Sequence, residues 1–227
     1  LAIVGDLPGG QGGWLGNVRI GPDRRLYVTK GRACDTCPDA RDFEQRRGAL
    51  LSFNLDGGDM RIEALGLRAA FDFAWTPARN SLFIADDAAD GQPDPLYRPP
   101  PNPGEMGWFG APILRFPADS NPSGMVYYEG EAFPAWRGNL IVALAGSWNA
   151  PTIAGYGVWR VPVDGDGQIG EAVRILPDTY LSTSDAAVIR ISYYPYRLAG
   201  IAVSQEGWLY TAMREGRIYR FRPRVGP

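Results

Sequence analysis

Three stretches of this 227-residue chain repeat one pattern, an extended segment, a polar turn and an apolar extended segment. A repeat of that kind restricts a chain to architectures built from successive small sheets. The stretches run from Val18 to Val28, from Phe73 to Ile84 and from Ile201 to Thr211, with turns beginning at Gly21, Thr76 and Ser204. The wide interval before the last of them holds one more unit, with Val126 to Tyr128 as its first strand, Gly138-Asn139 near its turn and Leu140 to Leu144 as its second. A third strand is expected in each unit, at Ala49 to Leu55, Ala111 to Phe116, Gly157 to Val161 and Arg217 to Phe221. Two units carry a predicted fourth, at Arg61 to Leu65 and Glu171 to Leu176.

Up to four strands per unit, at intervals of about 50 residues, predict an all-β chain folded as a β-propeller. No stretch shows the 3.6-residue apolar period of a helix. The alternative for the same strands is a sandwich of two stacked sheets. The last unit stops at its third strand, while the chain opens with an unpaired apolar run, Leu1 to Val4. Those opening residues are expected to complete the last sheet and hide its edge. Residues 1–227 then make one domain, a propeller or part of one.

Composition sets the remaining bounds. With 45% hydrophobic residues the chain buries a sizeable core, and a net charge of -2 with dispersed bases, all arginine except Lys30, gives nucleic acid no basic patch. No apolar run approaches the roughly 20 residues of a membrane-spanning helix. Leu1 is preceded by neither an initiator methionine nor a leader pattern, which predicts a processed start or an excised piece. The cysteines are Cys34 and Cys37 alone. A local disulfide, free thiols and a metal or redox pair are the alternatives, and the disulfide implies an oxidising, periplasmic or secreted setting.

Residues 14 to 222 also carry a distributed set of short motifs. They include Asn17-Val-Arg-Ile-Gly-Pro-Asp23, Leu65-Gly-Leu-Arg68 before Phe73-Ala-Trp-Thr-Pro77, Asn121-Pro-Ser-Gly-Met125, Phe133-Pro-Ala-Trp-Arg-Gly138, Ala145-Gly-Ser-Trp-Asn149 and Ala199-Gly-Ile-Ala-Val203. In this order the chain resembles the soluble quinoprotein glucose and sorbosone dehydrogenases, the sorbosone branch above all. The resemblance implies a six-bladed propeller holding pyrroloquinoline quinone (PQQ) and calcium, with a histidine taking a proton from a sugar hydroxyl. Four units fall short of six blades.

The chain has no histidine at all. Gly13 stands where the resemblance places the base, and Asn121 and Ala145 stand at two further positions where it places histidines. Arg68 matches the quinone-facing arginine and Arg197 a second arginine of the pattern, each with a surface cation as its ordinary alternative. Asp86, Asp87 and Asp90 share a loop after Phe83-Ile84. Such a loop is a solvated acidic turn, a calcium site, or a source of a carboxylate base raised by crowding. Trp108 and Phe109 follow a proline-rich run and suit either a partner interface or packing on their own sheet. These residues predict a propeller that has lost catalysis and serves as a binding or structural subunit, with a protein partner, a larger extracytoplasmic complex or a sugar as its ligand. Neither PQQ nor calcium is then expected; the alternative is a divergent PQQ- and calcium-dependent dehydrogenase of aldoses or sugar aldehydes.

Overall fold

The computed structural model describes residues 2–9, 15–32, 46–77, 80–99, 110–147, 153–176 and 197–223. Among them the strands form four antiparallel sheets, and a short 3-10 turn spans Pro134–Trp136. The first sheet is β1 (Leu15–Ile20), β2 (Leu26–Lys30), β3 (Ala49–Phe53) and β4 (Arg61–Leu65), joined in chain order. The second is β5 (Asp72–Thr76), β6 (Ser81–Ala85), β7 (Pro93–Tyr97) and β8 (Leu114–Ala118). The third is β9 (Pro122–Tyr128), β10 (Asn139–Leu144), β11 (Gly157–Pro162) and β12 (Val173–Leu176). The fourth is a sheet of three, β13 (Leu198–Val203), β14 (Leu209–Met213) and β15 (Arg217–Phe221).

The first strand of each sheet packs beside the first strand of the next, β1 by β5, β5 by β9 and β9 by β13. The four sheets are therefore successive blades, with these strands innermost. Together they line an open groove of about 550 Å³ that includes Val18, Trp75, Tyr127 and Ile201.

Period-two alternation sends neighbouring residues of one strand into different cores. Leu50 packs with Tyr27, Phe73 and Ile84 between the first two blades, whereas Leu51 joins Val28, Phe53 and Leu65 on the first blade's outer face. Leu140 and Val142 meet Phe83, Phe116 and Met125, while Ile141 and Ala143 meet Tyr128, Leu198 and Leu209. Strands buried on both faces read as unbroken apolar runs, which is why Leu140 to Leu144 stands out in the sequence.

One ionic network crosses three blades. Arg19 on β1 donates to both carboxylate oxygens of Asp72 on β5, at 2.9 and 2.7 Å, and to the Met125 carbonyl on β9 at 2.8 Å. Asp72 also accepts the Met125 N–H at 2.7 Å. Lower down, the Tyr128 hydroxyl donates to the Gly207 carbonyl at 2.6 Å and accepts the Phe133 N–H at 3.0 Å, tying the third blade to the fourth.

Two expectations are corrected. The third strand of the second blade is β7, and the segment expected in that role overlaps β8, which is the fourth. Prolines 93 and 95 donate no ladder hydrogen bond, and β7 meets β6 only through Ile84 with Tyr97 and Ala85 with Leu96, so the segment lacks a strand's usual signature. The opening residues do not complete the last blade. Residues 2–9 form no strand, and Val4 and Leu7 pack on the outer face of the first blade against the Val28, Leu51, Phe53 and Leu65 cluster. Side-chain hydrogen bonds hold them there, from Arg46 to the Asp6 carbonyl at 2.8 Å and from Arg47 to the Gly9 carbonyl at 2.5 Å. The apolar face of the first blade gives Val4 and Leu7 a place to bury their side chains.

Candidate functional site

Strands of each blade alternate in direction, so the β4–β5, β6–β7, β8–β9 and β10–β11 connections and the start of β13 all emerge at one end of the sheets. That end gathers Arg68, Asp86, Asp87, Asn121, Ala145 and Arg197, six of the positions singled out by sequence. Gly13, Cys34, Cys37, Trp108 and Phe109 lie outside the described residues.

The β6–β7 loop supplies Asp86, Asp87 and Asp90, and β7 itself supplies Asp94. Asp86 is 2% exposed and held by backbone donors: one oxygen accepts the Arg68 N–H at 2.8 Å, the other those of Ala69 at 2.8 Å and Asp87 at 3.1 Å. Asp94 is 0% exposed and accepts the Ala88 N–H, the Ser120 hydroxyl and the Asn121 N–H, at 2.9, 2.9 and 2.8 Å. Asp87 pairs with the Arg68 guanidinium at 2.9 Å, its side chain 16% exposed against 18% for Arg68. Asp90 stands apart, exposed at the loop's tip.

Burial dominates the titration of this cluster. It pushes the Asp86 carboxyl up to about 6, outweighing the Arg68 and Ala69 N–H donors. It pushes Asp87 up to about 7, helped by the negative charge of Asp94 and opposed by Arg68. Asp94 is raised for the same first reason.

The second half of this face is built on glycines. Gly146, at a φ of 98°, lets the Tyr156 ring lie where a β-carbon would come within 2.2 Å of it. Arg197 lies over that ring, 5.1 Å from its centroid, and donates at 2.6 Å to each of the Gly146 and Ser147 carbonyls. The halves are joined, because the Asn121 carbonyl accepts the Ala145 N–H at 2.8 Å and the Ser120 carbonyl accepts the Gly146 N–H at 2.9 Å. Hydrogen bonds thus run from Asp94 through Asn121 and the Gly146 carbonyl to Arg197, while the Arg68–Asp87 pair lies beside Asp94 and feels its charge. Gly146→Ala is expected to dislodge Tyr156 and Arg197 together at a cost of about 1–3 kcal/mol, read as a lower Tm and a changed near-ultraviolet dichroism.

Asp94 was not among the site candidates from sequence, although it anchors both halves. Its signal was an acid between two prolines, a position where a carboxylate caps neighbouring turns. Among the described residues no group of three or more His, Cys, Asp or Glu side chains is arranged to hold a metal ion.

A family model described as strictosidine synthase-like, N-terminal, matches residues 200–221, within the fourth blade. No curated protein matches the chain. Solved structures do. A Trichoderma reesei protein of Carbohydrate-Active Enzymes Family AA12 superposes with a TM-score of 0.71 at 14% identity, covering 89% of this chain and 66% of its own. The PQQ domain of pyranose dehydrogenase from Coprinopsis cinerea gives 0.67 at 17% identity, covering 91% and 69%. The fold is that of the sugar-dehydrogenase propellers. The soluble aldose sugar dehydrogenase from Escherichia coli follows at 0.60 and 18% identity, covering 83% of this chain and 57% of that one. The chain spans about two thirds of the first of these structures, consistent with four blades of a larger ring.

Proposed function

We infer that this chain is a sugar-dehydrogenase-type propeller that does not oxidise sugars and serves instead as a binding or structural subunit in an extracytoplasmic assembly. The observation that carries the reading is the commitment of the two candidate arginines. Arg68 is paired with Asp87, and Arg197 is spent on two backbone carbonyls and the Tyr156 ring. A quinone carboxylate docking on either guanidinium has to displace an internal partner.

The residues present do not fit PQQ with calcium. Asp86 and Asp94 are each held by three N–H or O–H donors, and Asp87 is held by an arginine, so each carboxylate of the buried cluster would have to give up internal partners to coordinate a cation. Calcium asks for six to eight oxygens. The chain also carries no imidazole to act as base near neutral pH.

One observation favours the second reading, a divergent dehydrogenase of aldoses or sugar aldehydes. Asp87 has a carboxyl raised to about 7 and an edge open to solvent, the properties of a general base. The two readings separate in a dye-reduction assay of the purified chain with PQQ, calcium and a panel of aldoses. No turnover above the protein-free control is expected. Turnover that Asp87→Asn abolishes would replace the first reading with the second.

A further inference from the structure

The groove between the innermost strands is a second concavity, separate from the Arg68 to Arg197 face. β1, β5, β9 and β13 all start at that face, yet the groove is lined by their later residues, among them Val18, Trp75, Val126, Tyr127 and Ile201. Between the two the strands close together. Gly124 lets β9 lie so near β13 that a β-carbon there would come within 2.9 Å of the Ile201 nitrogen. The hydrogen bonds of Arg19, Asp72 and Met125 tie β1 to β5 and β9 at the same level. The groove therefore belongs to the opposite end of the molecule.

Its walls are apolar, and the charge left over in it is negative. Val126, Ile201 and Val203 pack on the core between the third and fourth blades and leave part of each side chain open to the groove. Trp75 is fixed by edge contacts to Tyr27 and Phe73, with ring centroids 4.9 and 5.4 Å away, and Tyr127 stands half-buried on the next blade. The charged residues of the lining are Arg19 and Glu129. Arg19 is bidentate to Asp72, so its charge is matched inside the protein. Glu129 is exposed and makes no ion pair among the described residues. Its carboxylate lies near the Tyr127 hydroxyl, which burial first and that negative charge second hold above its ordinary value of 10.0. Trp75, Tyr127 and Glu129 sit on the second and third blades, each flanked by a blade on both sides, so this wall does not depend on the outer blades.

We propose that this groove binds an alkylammonium, its apolar chain laid along Trp75, Val126 and Ile201 and its cationic head beside Glu129 and Tyr127. Burial of the chain supplies most of the affinity. The carboxylate and the aromatic rings select the cation over a neutral or anionic molecule of the same length. The groove and the Arg68 to Arg197 face lie at opposite ends, so failure here leaves the cofactor reading untouched.

The test uses the full chain and three eight-carbon probes that differ only in the head group, octylammonium, octanol and octanoate, titrated by calorimetry at neutral pH. In about 0.05 M salt octylammonium is expected to bind about 5-fold more tightly than octanol and about 10-fold or more tightly than octanoate. The preference should shrink in about 0.5 M salt, because Glu129 is exposed. Glu129→Gln is expected to bring octylammonium and octanol within about 2-fold of each other, and Glu129→Lys to place octanoate first, both in chains that unfold at the unaltered temperature. In the unaltered chain the Trp75 indole N–H resonance should shift on titration with octylammonium, which locates the probe without a variant. Binding of none of the three, equal binding of all, an unchanged order in Glu129→Lys, or a Trp75 resonance that stays in place would each overturn the proposal.

Discussion

Asp72→Ala is expected to destabilise the chain by about 3 kcal/mol or more, from breaking an ion pair between a buried carboxylate and a half-buried arginine and leaving buried N–H donors unpaired. Asp72 is 2% exposed and accepts four hydrogen bonds, two from the Arg19 guanidinium and one each from the Met125 and Phe73 N–H groups. Truncation leaves the Met125 N–H without its acceptor and the guanidinium with only the Met125 carbonyl, at a point where three blades meet. For a chain of this length each kcal/mol moves Tm by about 2–4 °C, so a fall of roughly 10 °C is the expected reading in a thermal scan. Glu131→Ala provides the contrast. Its pair with Arg137 spans 3.8 Å between side chains that are 87% and 64% exposed, and such a pair contributes little. If the two variants unfold at the same temperature, the blades are not held together by Asp72.

Stability is expected to fall as pH rises from 5 to 8. Asp86 and Asp87 titrate near 6 and 7 when folded, against an ordinary 3.8, because burial favours the neutral carboxyl. The folded chain therefore holds these protons more tightly than the unfolded chain. Below about pH 3.8 both states are protonated and the groups contribute no difference; above the folded values the penalty of burying charge is fully present. Each pKa unit corresponds to about 1.4 kcal/mol, so Asp86 alone accounts for about 3 kcal/mol between its unfolded and folded values, of which about 1.4 kcal/mol falls above pH 5. Asp59 and Glu206, whose carboxyls are held low, act below their ordinary values of 3.8 and 4.5 and leave this range unaffected. Lys30, whose amine burial holds below 10.5, acts in the opposite sense at higher pH, which is why the comparison stops at 8. The check is urea unfolding at pH 5, 6.5 and 8, with Asp87→Asn expected to flatten the slope. A midpoint that climbs with pH would contradict the burial of these carboxyls.

Where the apolar pattern was strong, the strands could be read directly. Arg217 to Phe221 is β15 to the residue, Arg61 to Leu65 is β4, and Leu140 to Leu144 is β10 short of Asn139. β7 was hidden because Pro93-Asp94-Pro95 reads as a turn, yet its few ladder contacts suffice once Leu96 is buried between blades. The placement of Val4 and Leu7 was not legible either, since an apolar run fits a sheet edge and an uncovered sheet face equally well. Of the site, the sequence showed the right end of the molecule: Arg68, Asp86, Asp87, Asn121, Ala145 and Arg197 all converge there. It did not show which polar groups are already satisfied. Asp86 reads as a free acid in a row of acids, but backbone N–H groups claim it, and that depends on how the β4–β5 loop folds over it.

The claim that this face has its arginines internally neutralised is tested most directly by equilibrium dialysis of the intact chain against PQQ with calcium at neutral pH. No saturable uptake of quinone is predicted, and none should appear in Arg68→Ala. Uptake of one quinone per chain, lost in Arg68→Ala while the thermal unfolding profile is kept, would contradict it.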